Sequence, residues 1–196
     1  MTARATRLAL VFAAFLAGLV LCLAVILMLV GPPGAGMQSS IGGPFRLVDQ
    51  DGKTITERDF AGKPFLIFFG FTHCPDVCPT ALFDISEVMR ALGPDADKTA
   101  ALFVSVDPER DTPAVLKDYL SSFDPHVRGA TTDADGLAAI AKTFRVYFKK
   151  VPTEGDDYTM DHTALIYLMD KRGGFVAPFN LKRNPEAAAN DLRKYF

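Results

Sequence analysis

Hydrophobic positions divide the chain into one solid apolar block near its start and a patterned remainder. Leu8–Val30 is 23 residues without a charge or a proline. At about 1.5 Å of rise per helical residue, such a run crosses a bilayer core of about 30 Å. It predicts a transmembrane helix over 8–30, behind a short tail, 1–7. Residues 31–43 are rich in Gly, Pro and Ser and read as a linker. From 44 to 196 the pattern changes to short apolar runs alternating with apolar residues spaced by three and four. Phe45–Val48 and Lys53–Thr56 flank Asp51-Gly52 and predict a hairpin. Phe65–Phe69 is apolar throughout and suits a strand buried on both faces. Leu82, Ile85, Val88, Met89 and Leu92 predict a helix over 79–92, stopped by Gly93-Pro94. Leu102–Val106 is a second core strand. Asp111-Thr112-Pro113 caps a helix running to about Leu120, and Leu137, Ile140, Ala141 and Phe144 share one face of a helix over 133–144. Val146–Lys150 reads as a short strand. Ala164–Met169 and Phe175–Phe179 read as strands joined by Arg172-Gly173-Gly174, and Asn184-Pro185-Glu186 opens a last helix. Strands alternating with helices, then a late hairpin, predict one α/β domain with a mixed sheet covered on both faces.

Charge orients this arrangement and narrows the partners. Arg4 and Arg7 precede the apolar run without an acidic residue, so the tail stays cytoplasmic and the domain lies outside. In a bacterium that is a single pass through the inner membrane, with the domain in the periplasm. The run is longer than the roughly 7–15 residues of a signal-peptide core, which favours an uncleaved anchor over a cleaved signal. Leu21 before Cys22 argues against lipidation there, leaving Cys22 as a small apolar residue. Formal net charge is −2; without Arg4 and Arg7 the remainder has 19 basic residues (21 − 2) against 23 acidic, or −4. No basic excess exists for nucleic acid. Three cysteines are too few for a disulfide scaffold.

The candidate chemistry sits at Cys74, Cys78 and His162. Phe69–Pro79 joins the first core strand to its helix, a junction where sites of open α/β sheets collect. A helix N-terminus favours negative charge, which predicts that both thiols are partly thiolate near neutral pH. Spacing i, i+4 lets the pair close a disulfide or clamp one ion. The alternative is two small buried residues; the prolines at this junction weigh against it. His162, expected in a loop before a strand, would complete a soft two-sulfur, one-nitrogen set. That set suits Cu(I); structural zinc calls for a fourth protein ligand, while catalytic zinc with an open position stays open. Asp161 either orients His162 or caps the loop. His73 adjoins Cys74 but, as a direct neighbour, is expected to point away from it, and His126 reads as solvated surface. Asp107–Pro113 reads as scaffold, since a carboxylate is a hard ligand and poor for Cu(I).

Three segments carry a resemblance. Phe71-Thr72-His73-Cys74-Pro75-Asp76-Val77-Cys78-Pro79-Thr80, Val104–Pro113 and Asp161–Asp170 resemble the motifs of the Sco/SenC family, copper-binding thioredoxin-like proteins of cytochrome c oxidase assembly. The resemblance runs from about Phe45 to the C-terminus; Pro125–Ala130 departs from the pattern without touching the ligands. It implies a thioredoxin-like fold and copper, Cu(I) with Cu(II) as a second state, on Cys74, Cys78 and His162. It implies delivery to the copper-accepting subunit of cytochrome c oxidase, with an upstream copper donor and a thiol reductant as further partners. A second reading is a thiol–disulfide oxidoreductase that reduces the cysteines of that acceptor through Cys74 and Cys78. A third is a peroxidase, because Val77-Cys78-Pro79-Thr80 resembles a peroxiredoxin nucleophile region; Pro75 stands where that family has threonine, and His162 would have no role.

Overall fold

The structure, a computed structural model, describes residues 3–30 and 41–196. The chain divides into two compact units, Met1–Gln38 and Ser39–Phe196. In the first, α1 (Ala3–Val30) begins ahead of the apolar run, so Arg4 and Arg7 continue the helix. Its described side chains form an unbroken series only over Leu10–Ile26. Among the described residues, no helix is long and apolar enough to cross a membrane. The expected linker lies outside the described residues as far as 40; beyond that, the Gly42 N–H donates to the Thr143 carbonyl at 3.0 Å.

The second unit is built on a seven-stranded sheet. Its strands are β1 (Arg46–Asp49), β2 (Thr54–Thr56), β3 (Phe65–Gly70), β4 (Ala100–Ser105), β5 (Val127–Thr131), β8 (Ile166–Met169) and β9 (Phe175–Pro178), in the order β2-β1-β5-β4-β3-β8-β9. β3, β4 and β5 run parallel, and β1, β8 and β9 are antiparallel to their neighbours. Two further strands, β6 (Phe148–Pro152) and β7 (Tyr158–His162), form a separate hairpin. Every residue of β3 is buried, as its apolar run requires. Its side chains alternate. Phe68 meets Phe103 of β4 on one face, and Phe69 meets Phe144 and Tyr167 on the other. The Phe68 face is covered by α2 (Val77–Leu92) and α3 (Pro113–Leu120), with α5 (Pro185–Arg193) packed on α2. The Phe69 face is covered by α4 (Ala134–Phe144). Thr112, Asp133 and Asn184 cap α3, α4 and α5 through their side chains, as their types and positions predict. The chain has no tryptophan, and phenylalanines form the bulk of the fully buried aromatic packing.

Two strands were not expected. β5 carries Arg128 and Gly129 in mid-strand, which breaks its apolar signal. The Arg128 guanidinium donates to buried Asp49 at 3.0 Å. A Cβ on Gly129 would meet Leu120 Cδ1 of α3 at 2.4 Å, so any larger residue there would push the Leu120 side chain aside. β7 is too polar to read as a strand, so His162 ends a strand instead of lying in a loop.

His126 is also corrected: it is partly buried, with Nδ1 facing Asp124 at 2.7 Å and Nε2 facing Asp97 at 3.2 Å. Burial disfavours its charge, but the two carboxylates outweigh that and raise its pKa. The contact therefore stabilises the fold fully below the ordinary value of 6.5, and the gain fades as pH rises through the higher folded value. Thermal unfolding of His126→Gln should show a larger deficit at about pH 5.5 than at about pH 8.5. A deficit independent of pH would contradict the ion pairs.

Candidate metal centre

The end of β3 delivers a loop, Phe71–Asp76, to the start of α2. Cys78 lies in the first turn of that helix and is fully buried; Cys74 lies in the loop and is half-buried. A helix start leaves backbone N–H groups without intrahelical partners. Here the Cys78 N–H donates to the Cys74 sulfur at 3.3 Å, which ties the two cysteines together. Gly70 makes room beneath them: a Cβ there would meet Cys78 Sγ at 2.8 Å and Phe103 at 2.7 Å.

His162 arrives from β7, on the same side as Tyr158 and Met160. Its Nδ1 faces the Thr163 carbonyl at 3.2 Å, and Nε2 lies 3.7 Å from Cys78 Sγ. A carbonyl only accepts, so Nδ1 carries the proton and Nε2 presents its lone pair to the sulfurs. Phe71 meets the ring edge-on, with Phe68 on the same cluster. Burial lowers the His162 pKa, outweighing the Thr163 carbonyl and Asp161, and keeps the ring neutral at neutral pH. The ligating atoms of Cys74, Cys78 and His162 all lie within 4.8 Å of one another.

Two details differ from the sequence reading, at Cys78 and Asp161, and a third, at His73, agrees with it. The Cys78 thiol is not partly ionised: burial pushes its pKa far up, and the neighbouring Cys74 and Asp111 add to the rise. Desolvation thus outweighs the helix terminus, and a proton must leave before this sulfur ligates. Asp161 does not hold the imidazole; its side chain is exposed, and Nδ1 is engaged by Thr163. His73 is exposed, its Nδ1 3.1 Å from Thr72 Oγ1, outside the cluster.

The 107–113 segment carries structure that its sequence only hinted at. Asp111 is fully buried and accepts from Thr72 Oγ1 at 2.6 Å, Thr72 N at 3.1 Å and Ser105 Oγ at 2.6 Å. Burial raises its pKa despite these donors. Through Thr72 it fixes the loop that carries Cys74. Asp107, also buried, accepts from the Tyr158 hydroxyl at 2.9 Å and pairs with Arg110. Burial, then the bond to Asp107, pushes the Tyr158 phenol up to about 12, so it remains a donor. The scaffold reading of 107–113 agrees with these bonds, but Tyr158 and Thr72 were not foreseen. Three acidic residues, Asp107, Glu109 and Asp111, between an apolar strand and a helix were the available signal.

The sequence profile of the SCO1/SenC family matches residues 34–196. The chain belongs to the SCO1/SenC family. Among curated members it is 39% identical over 163 residues to the mitochondrial SCO1 homolog 1 of Arabidopsis thaliana, covering 83% of this chain and 48% of that protein. It is 36% identical to the SCO2-like protein of Rickettsia felis, covering 78% of this chain and 76% of that one. The chain thus spans about half to three-quarters of the length of these relatives. Bradyrhizobium japonicum ScoI, solved with copper bound, is 66% identical with a TM-score of 0.78, over 80% of this chain and 99% of that one. Yeast Sco1 with copper bound is 37% identical with a TM-score of 0.72, over 79% and 87%. These likenesses agree with the thioredoxin-like, mixed-sheet fold expected of a SCO1/SenC member.

The close approach at Gly70 is testable. Gly70→Ala should cost about 1–3 kcal/mol, because Phe103 and the Cys78 sulfur must both move. Urea unfolding measures this, and an unchanged midpoint would mean that the strand–helix junction has slack.

Proposed function

We propose that this protein is a membrane-anchored copper chaperone that helps metallate the copper centre of cytochrome c oxidase. The carrying observation is the convergence of two sulfurs and one imidazole nitrogen to within 4.8 Å. Metal–sulfur and metal–nitrogen bonds of about 2.3 and 2.0 Å separate trigonal ligands by about 3.8 Å. The 3.7 Å from Cys78 Sγ to His162 Nε2 already matches that spacing, and the half-exposed Cys74 has the freedom to close the remainder. Soft sulfur with neutral imidazole suits Cu(I), and His162 also accommodates Cu(II). Support comes from copper-bound ScoI at 66% identity, and from BsSco, described as a member of the Sco family of cytochrome c oxidase assembly proteins.

Copper is cargo in this reading. Binding displaces the proton from the buried Cys78 thiol, so affinity rises with pH. Cys74 stands at the surface, where a soft ligand of the copper-accepting oxidase subunit can replace it step by step. An upstream donor loads the site by the reverse exchange. The Leu8–Val30 run supports the anchor, with the described side chains of α1 exposed and the domain on the periplasmic side of a bacterial inner membrane. The pairing of half-exposed Cys74 with buried Cys78 also favours a redox role. Cys74 attacks a disulfide of the acceptor and frees one of its thiols; Cys78, losing its proton, then attacks the Cys74 sulfur of the mixed disulfide, which frees the second thiol and leaves a Cys74–Cys78 disulfide. BsSco, 25% identical, is described by a disulfide switch. A thiol reductant would then keep the copper site open.

Anaerobic Cu(I) titration of the reduced full chain in detergent, against a competing chelator, tests the site. One tight equivalent is expected, weakened at least about tenfold by Cys78→Ser and by His162→Ala. Binding that survives His162→Ala would leave a dithiol clamp and shift weight to thiol reduction. No binding above the chelator would sink the chaperone.

A further inference from the structure

Cys74 and Cys78 lie in the loop and helix that follow β3 directly, whereas His162 comes from outside the seven-stranded sheet. It sits at the end of the separate β6–β7 hairpin, so the hairpin's placement sets where the imidazole lies. The other end of that hairpin is fastened to the turn at 107–110 by a concentrated set of contacts. The Tyr158 hydroxyl donates to Asp107 at 2.9 Å. The Arg110 guanidinium pairs with Asp107, donates to the Tyr158 carbonyl at 3.0 Å and to Asp157 at 3.2 Å, and lies 3.7 Å from the centre of the Tyr158 ring. Lys150 Nζ lies 3.8 Å from the same ring centre and donates to Glu109 at 2.6 Å. Two cations this close to one centroid must take opposite faces, so the phenol ring is gripped between the turn and β6. Tyr158 and His162 are four residues apart on one face of β7, so a tilt of the ring end tilts the imidazole.

We propose that the 107–110 turn clamps the β6–β7 hairpin and thereby positions His162 for copper, with Tyr158, Asp107 and Arg110 as positioning residues. This rests on the copper reading of the site. The clamp acts through the imidazole: the cysteines are held by Asp111 through Thr72 and by α2, and Arg110 reaches their loop only at 6.0 Å from the Phe71 ring centre. A merely structural role for these residues would lower stability whichever ligands are present; a positioning role is felt only when His162 is present. Arg110 is suited to this task because its planar fork both stacks and pairs, which lysine does not reproduce.

The test is a double-mutant cycle on the full chain in detergent, reading anaerobic Cu(I) affinity. Tyr158→Phe removes one hydroxyl and keeps the ring; Arg110→Lys keeps the charge and loses the fork. Each should weaken Cu(I) binding about tenfold in the wild-type background and less than about twofold on top of His162→Ala. In the same copper-free proteins, amides of Thr159–His162 should exchange at least about tenfold faster, while those of β3 and β4 keep their protection. Equal losses in both backgrounds, or unchanged hairpin exchange, would overturn the clamp. Should the wild type bind no copper, the chaperone reading fails, and the hairpin exchange still decides whether the turn holds the hairpin.

Discussion

Two buried carboxylates hold the site together. Asp107 and Asp111 lie four residues apart after β4, both nearly without solvent. A carboxylate in such a place is costly unless its oxygens are occupied. Asp111 spends its oxygens on Thr72 and Ser105, Asp107 on Tyr158 and Arg110. The first set holds the loop with Cys74, the second the hairpin with His162. The polar groups that the fold must satisfy to bury this turn are therefore the same ones that bring the two halves of the ligand set to one place. β4, which runs beside β3, ends at this turn, so the whole assembly hangs from the centre of the sheet.

The same dryness sets the protonation states. Cys78 and His162 are pushed in opposite senses by one cause, loss of water around a charge: the thiol rises, the imidazole falls. Both are held neutral. For histidine the neutral form is already the ligating form; for cysteine it is not. Metal entry must therefore be coupled to proton departure at Cys78, while His162 is ready in advance with Nε2 aimed at the sulfur.

Most of the fold could be read from the residues because its core strands and capped helices follow local rules. The all-buried β3, Thr112 before Pro113, and Asn184 before Pro185 each announce themselves. What failed was decided at a distance. Gly129 breaks the apolar signal of β5 but exists to admit Leu120 of another element. Arg128 is tolerated within the sheet because Asp49 answers it from β1. Cys74, Cys78 and His162 were readable as a chemical set, since soft ligands are few in this chain. The ionisation of Cys78 was misjudged because position at a helix start is local, whereas full burial of its sulfur over Gly70 is a property of the whole domain. Asp161 was a candidate to orient His162 only through adjacency; in an extended strand, adjacent side chains point to opposite faces.

In the proposed carrier role the ion must be held without being trapped, and the geometry divides those tasks. Cys78 is rigid: it is buried in a helix turn, with its sulfur against the space that Gly70 leaves. Cys74 is the adjustable ligand, held by one backbone amide and a threonine-anchored loop, and open to solvent on its other side. His162 stands between these limits, fixed in orientation by Thr163 but carried on a hairpin outside the main sheet. An incoming ligand therefore meets the more exposed sulfur, Cys74, before the fully buried one, Cys78. Under that proposal, release in that order would keep the ion bonded to two protein atoms until a new bond replaces the first, which avoids exposing a bare soft cation to water. The gradient of burial across three side chains is thus also a sequence of exchange steps.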